Sequence, residues 1–361
     1  MLSATAILAL AFVLGAAFGL LCARTRFCTL GAVADIVVMA DWRRMGMWLL
    51  AIAVAIAGSA ALHAAGLIDL DKTIYRTPKL LWAAHLVGGL AFGVGMALAS
   101  GCAGKTLILI GSGSIKALIV FLALCAGALM SMYGILSVLR IRVLNALSLP
   151  MPGGSDLPAL LTGFGVPASA ALAIAAGGLV IALLAFIFLR AGRLSAEQLA
   201  GGAGAGLLVV AGWLLSGHFG YVAEDPDTLQ EAFLATRSGR MESLSFVAGQ
   251  ADLMSLLTQW SDNSQHPDFA IAVALGVVAG SAAHALATGS FRWEGFHDLE
   301  DSVHHLLGGV LMGFGAVTAL GCSIGQGISG VSTLALGSLL TLPAIISGAA
   351  ATLVWQLRRA D

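Results

Sequence analysis

Charge is what this chain has least of. Asp, Glu, Lys and Arg make up only 10% of its 361 residues, against roughly a quarter in a soluble domain. That excludes disorder, a coiled coil and an ordinary soluble enzyme. Eighteen Lys and Arg stand against nineteen Asp and Glu, for a net charge of −1. No basic footprint calls for nucleic acid. The five cysteines (Cys22, Cys28, Cys102, Cys125 and Cys322) form no CxxC pair, and their number is odd. A disulfide framework or a zinc site is therefore not expected. Basic residues are missing from the apolar run at 1–21; the first is Arg24. A cleavable signal carries its positive charge before the run, and Gly19 and Leu21 do not fit a lipobox at Cys22. Residues 2–22 read as a retained span. Nucleotide motifs fail too. GCAGKT at 101–106 has Ala99 where a phosphate loop needs glycine, and the two GxGxxG-like stretches end in Leu98 and Thr318. ATP-driven pumping is not expected.

What is present is apolar sequence and glycine. Hydrophobic residues make up 59%, mean hydropathy is +0.95, and 46 residues are glycine, well above the usual ~7%. The composition predicts an all-α polytopic membrane protein. About nine spans follow, near 2–22, 46–68, 81–99, 115–139, 168–190, 199–216, 269–290, 303–320 and 335–357. Four apolar segments are too short to cross: 27–40, 103–113, 243–257 and 323–334. They read as re-entrant or broken helices, which persist at membrane depth only when buried in protein or lining a cavity. With the N-terminus outside, one side holds Arg24, Arg26, Arg43, Arg44, Lys105, Lys116, Arg190, Arg193, Arg292, Arg358 and Arg359. The other holds Lys72, Arg76, Lys79, Arg140, Arg142, Arg237 and Arg240. The excess predicts a periplasmic N-terminus and a cytoplasmic C-terminus. The polar stretch 218–268, with Glu224, Asp225, Asp227, Glu231 and Asp262, then faces outward.

The sequence repeats itself. HLVGGLAFGVGMALASGC at 85–102 matches HLLGGVLMGFGAVTALGC at 305–322, with nine of eighteen positions identical. His85/His305, Gly101/Gly321 and Cys102/Cys322 are among them. AGSAA recurs at 57–61 and 279–283, and 26–35 weakly echoes 242–252. A shift of five spans reverses direction through the membrane, so the expected architecture is an inverted-topology repeat. Its parts are 1–140, a linker with the fifth span at 141–198, and 199–361. The two Gly-Cys corners should approach the midplane from opposite sides.

Cys102 and Cys322, paired by the repeat and each opening a broken segment, are the main candidates for a path. Cys28 opens the first broken segment in the same way. Cys22 and Cys125 have no repeat partner and read as packing. His85 and His305 read as packing or helix-end groups. His297, His304 and His305 with Glu294, Asp298, Glu300 and Asp301 read as a solvated face rather than a metal site. Lys105 and Gln326, just after the corners, face either an anion or bulk water. Arg24 and Arg26 guard an inner exit or simply obey the charge bias. Asp35 and Asp252 are the only intramembrane carboxylate candidates, in corresponding broken segments. Helix N-termini offer free N–H groups to an anion. A thiol adds a weak donor and a polarisable surface, which suits a soft, sulfur-bearing anion.

At these residues the chain resembles the YeeE/YedE family of bacterial inner-membrane sulfur transporters. The matching motifs are Arg24 to Cys28 (R-x-x-F-C), Gly101-Cys102, and Gly321-Cys322-Ser323-Ile324-Gly325-Gln326-Gly327. The resemblance covers nearly the whole chain. It implies an hourglass-like fold and thiosulfate import along a central path, relayed by S–H hydrogen bonds from Cys28, Cys102 and Cys322. It also implies a small cytoplasmic sulfur-carrier partner of the TusA type in some members, and a link to selenium in others. Neither a cofactor nor a metal is implied. The counterpart of Cys28 in the second half is Ser245 or Phe246. A carrier of selenium species or another small solute is one alternative. A membrane thiol enzyme or sulfur-relay component is another, and needs a thiolate beside a base.

Overall fold

A helix crosses a membrane when about 20 apolar residues follow one another, and this chain supplies such runs repeatedly. The computed structural model describes residues 3–151, 153–224, 229–262, 265–296 and 299–360. The helices are α1 (Ala4–Thr25), α2 (Thr29–Met39), α3 (Arg43–Ala64), α4 (Trp82–Leu98), α5 (Ala103–Gly111), α6 (Ile115–Met132), α7 (Ile135–Leu139), α8 (Leu157–Gly163), α9 (Ala168–Phe186), α10 (Ala196–Leu214), α11 (Phe246–Thr258), α12 (Phe269–Ala287), α13 (Leu299–Thr318) and α14 (Leu336–Ala360). Polar N-caps set several starts: Ser3 for α1, Ser114 for α6, Asp268 for α12, and a Ser195–Gln198 capping box for α10. Eight helical stretches are long and apolar enough to span a membrane. The remaining long helix, α13, carries Glu300 and Asp301 in its first turn and packs against α4 and α6.

The four short segments expected to be broken helices are present as α2, α5, α11 and a π-helical turn at Gly325–Gly330. Packing joins the two ends of the chain. Helix α1 lies on α12 and α3 on α10, while α4 lies on α14 and α13, and α6 on α13. The short helices follow suit, α2 against α14 and α11 against α6. Helix α9 touches mainly α3 and α8 and leaves most of its surface outward.

Two polar connections are more built than their composition suggests. In the 218–268 stretch, Tyr221–Val222 pairs antiparallel with Ala232–Phe233. The Lys72 ammonium meets Glu231 at 2.6 Å, and Thr73 bridges to Met241. Asp225 and Asp227 lie outside the described residues. Within 141–198, Ser155 and Asp156 are buried: Leu157 N–H donates to Leu334 O and Leu336 N–H to Ser155 O. This part of the segment threads into the core. The same pattern recurs where Arg292 N–H donates to Ser112 O and Ile115 N–H to Glu294 O.

Close helix approach depends on glycine at matched positions. A Cβ on Gly93 of α4 would collide with the Ile345 carbonyl of α14, and one on Gly313 of α13 with the Leu124 carbonyl of α6. Small residues at such crossings are the usual route to tight packing in lipid. Gly93→Ala or Gly313→Ala should each cost about 1–3 kcal/mol and lower the melting temperature of the purified protein. Gly177→Ala, which faces open space on α9, should not.

Candidate functional site

The site is made from helix starts. Helix α4 ends with Ala99 N–H on Gly95 O, Ser100 N–H on Ala97 O and Gly101 N–H on Met96 O. Helix α13 ends with Ala319 on Gly315, Leu320 on Val317 and Gly321 on Ala316. Ser100 and Leu320 both take left-handed backbone, with φ of 55° and 61°. These are Schellman-type stops, and they place Cys102 and Cys322 at the start of the next helical segment. Cys102 is the N-cap of α5, and the Gln326 N–H closes onto the Cys322 carbonyl at 2.7 Å. Arg26, also left-handed with φ 53°, ends α1 and delivers Cys28 as the N-cap of α2.

Two of the sulfurs serve their own helices. Gly31 N–H donates to Cys28 Sγ at 3.4 Å, and Gly325 N–H to Cys322 Sγ at 3.3 Å. Cys102 caps α5 without a side-chain hydrogen bond to its amides. The fourth broken helix, α11, has Ser245 at its N-cap position, without a side-chain cap hydrogen bond. Its hydroxyl turns instead to the Tyr75 hydroxyl.

These helix starts converge. The Cys28 and Cys102 side chains meet directly, and the Ser323 hydroxyl lies beside the Cys102 thiol. Tyr75 sits near Cys322. The Phe246 ring packs on Gly104 and on Phe18, with ring centroids 5.3 Å apart. Cys102 and Cys322 are buried, and Cys28 is half-buried. Thr29 and Ser323 each follow a capping cysteine, and their hydroxyls are buried without a well-formed hydrogen bond among the described residues. They leave spare donors where the thiols gather.

Two cavities approach this cluster from opposite ends. The first, about 390 Å³, reaches down to Gly321 and is lined by Tyr75, Tyr133, Arg140, Arg237, Glu242 and Ser245, among others. The second, about 220 Å³, reaches Gly101 and is lined by Lys105, Ser114, Lys116, Glu294 and His305, among others. Helix α6 touches the second cavity near its start and the first at its end, Met132. The helix has eighteen residues, about 27 Å. The two cavities thus lie toward opposite ends of α6, and each reaches the glycine before a corner cysteine, Gly321 or Gly101.

The intramembrane carboxylates are both paired. Asp35 of α2 meets Arg44 at 3.2 Å, and Asp252 of α11 meets Arg237 at 3.4 Å. Sequence reasoning picked out the carboxylates but not their arginines, which belong to other segments. In the first cavity, burial pushes the Glu242 carboxyl up to about 7. Of the secondary candidates, Lys105 lines the second cavity with its ammonium on the Ser100 carbonyl at 2.9 Å. Gln326 is fully buried; its side chain donates to Ala319 O and accepts from Ser338. Gly101 and Gly321 shape the corners. Arg24 lies on a separate groove with His284 and Thr288. Cys125 donates to the Gln250 carbonyl at 3.3 Å, and Cys22 is packed. His85 lies buried against Thr341, at 2.8 Å. His297 and Asp298 fall outside the described residues, and no metal-binding cluster is present among those described.

This is a multi-pass helical membrane protein in which three cysteine-led helix starts lie beside the glycines that two cavities reach. A family model for sulphur transport matches residues 24–351, and the chain belongs to that family, the YeeE/YedE family. It is 29% identical over 321 residues to the protein named thiosulfate transporter TsuA of Escherichia coli (strain K12), covering 87% of this chain and 84% of that one. It is 26% identical over 352 residues to the protein of the same name from Spirochaeta thermophila, covering 96% and 97%.

Exposure orders the thiols. Cys28 is half-buried, while Cys22, Cys102, Cys125 and Cys322 are buried. Brief treatment of the folded protein with a small maleimide should label Cys28 first, read by peptide mass spectrometry. Equal labelling of Cys125 would mean that the cluster is not reached from a cavity.

Proposed function

We propose that this chain imports thiosulfate, or a closely related sulfur oxyanion, across the bacterial inner membrane. The observation that carries the reading is the meeting of three thiol-capped helix starts between two opposed cavities. The names of the two relatives support the same substrate. The repeated corners and crossed packing support a division into two inverted halves, 1–140 and 199–361. The excess of basic residues near the second cavity supports a cytoplasmic position for it, with the N-terminus periplasmic and the C-terminus cytoplasmic. A small sulfur carrier of the TusA type is the partner we propose there.

The chemistry follows from weak donors. An anion entering the first cavity loses water gradually and meets Arg237, already paired with Asp252, and Arg140, which donates to the Ser131 carbonyl at 3.0 Å. At the constriction it meets S–H groups, the spare hydroxyls of Thr29 and Ser323, and helix N-termini. The amides supply partial positive charge without a fixed cation. A thiol hydrogen bond is weak and polarisable, so the soft terminal sulfur of thiosulfate can pass from Cys322 to Cys102 to Cys28 without a deep well. No bond to sulfur needs to form or break, and the reading therefore requires transport alone.

Labelled thiosulfate uptake into proteoliposomes tests this. Losing a hydrogen bond to a charged group costs ~1.5–3 kcal/mol, so Cys28→Ala, Cys102→Ala and Cys322→Ala should each cut uptake about tenfold or more. Cys22→Ala should not. Normal uptake in all three path variants would defeat the relay.

Glu242 adds a pH dependence. Its carboxyl is raised to about 7 by burial, so it is neutral below that pH and charged above. A charged carboxylate in the entry cavity opposes an arriving anion. Uptake should rise as outside pH falls from about 8 to 6, and Glu242→Gln should flatten the profile near its acid-side rate.

A further inference from the structure

The thiol path does not account for His305. The residue is 3% exposed and lines the second cavity. Its Nδ1 lies 2.7 Å from the Asp301 backbone oxygen and 3.0 Å from Asp301 Oδ1. Both neighbours only accept, so Nδ1 carries the hydrogen and donates. The second ring nitrogen, Nε2, is buried and has no hydrogen-bond partner among the described residues. As a neutral ring it offers a lone pair; as an imidazolium it offers a second N–H. Only the second form can hold an anion.

The surrounding charges select between these forms. Lys116 Nζ bridges the Asp301 carboxylate at 2.8 and 3.0 Å, so Asp301 sits between Lys116 and His305. Lys105 donates to the Ser100 carbonyl and makes no ion pair among the described residues. Glu294 lines the same cavity, and His304 is the neighbour on α13. Two ammonium groups thus face two carboxylates, and the cavity becomes net positive only when His305 takes a proton. The N-terminus of α6, capped by Ser114, opens into the same space and adds to the field. The repeat-related His85 is different: its Nδ1 is on Thr341 Oγ1 and its Nε2 is pressed against the Gly337 backbone. The two halves share the histidine, but only one histidine faces a cavity.

We propose that the second cavity is an anion-binding station in its own right, where His305 takes up a proton with the sulfur oxyanion and holds it through Nε2–H beside Lys105 and Lys116. The ligand class rests on the transport reading above. The proton arrives from solvent as the anion enters, and leaves with it on release. The station thereby makes exit sensitive to pH on that face.

The test is calorimetry of thiosulfate binding to the full-length protein in detergent, in two buffers of different ionisation enthalpy, with Glu242→Gln as background to remove that carboxyl's titration in the other cavity. At pH 7.5, where the buried imidazole is neutral, binding should take up about one proton. His305→Gln, checked for monodisperse elution, should bind without proton uptake and about tenfold more weakly. Lys105→Met should weaken binding and keep the proton. Proton uptake undiminished in His305→Gln, or no linked proton in the parent while transport persists, overturns the station and leaves the transport reading intact. Absence of thiosulfate binding, with His305-dependent proton uptake on selenite or sulfite, overturns the substrate and supports the station. Binding of none of these anions overturns both.

Discussion

A helix broken inside a membrane exposes backbone amides that water cannot satisfy, and an unsatisfied group there costs several kcal/mol. Everything at the centre of this protein answers that constraint. Four helical segments start at depth, and each begins at a residue whose side chain can serve an amide or a neighbour. Three of the four are cysteine. A serine or aspartate cap would hold its amide more firmly. A thiol holds it loosely, at 3.3–3.4 Å in Cys28 and Cys322, and remains available to a passing ligand. In the transport reading proposed above, the cap and the path are the same atoms.

That arrangement needs the helix stops before it and the crossings around it. Left-handed Ser100 and Leu320 turn the chain at equivalent points, so that Cys102 and Cys322 face each other's half rather than lipid. Glycines 93 and 313 let α4 and α13 seat against α14 and α6 with backbone touching backbone. The hydroxyls of Thr29 and Ser323, left without well-formed bonds, sit one residue beyond their capping sulfurs. Backbone packing fixes the frame and leaves the polar atoms at its centre uncommitted.

Much of this was legible in the sequence because lipid enforces simple rules. Nine apolar runs read directly as long helices, and short runs between them as α2, α5, α11 and the turn at Gly325–Gly330. The shared Gly-Cys corners drew attention to Cys102 and Cys322, and the break after Arg26 to Cys28. What was not legible depended on distant partners. Arg44 and Arg237 neutralise Asp35 and Asp252 from other segments. Gln326 follows a Gly-Cys corner yet spends its amide on Ala319 and Ser338. The 153–157 strand-like insertion carries too little hydropathy to suggest that Ser155 and Asp156 are buried. Hydropathy reports depth, but it does not report which polar group another element brings.

The distribution of charge completes the argument. Several fixed charges near the path are paired: Arg44 with Asp35, Arg237 with Asp252, Lys116 with Asp301, while Lys105 and Arg140 donate to the Ser100 and Ser131 carbonyls. A dianion held by an unpaired arginine at low dielectric would bind too tightly to leave. Pairing the arginines keeps the mouths polar without making them traps, and the constriction then relies on thiols, hydroxyls and helix ends. Such a surface favours an anion that is large, soft and only weakly hydrated over a small hard one of equal charge, because the weak donors repay less of the hard ion's hydration. In the transport reading proposed above, selectivity follows from donors too weak to strip a tightly hydrated anion.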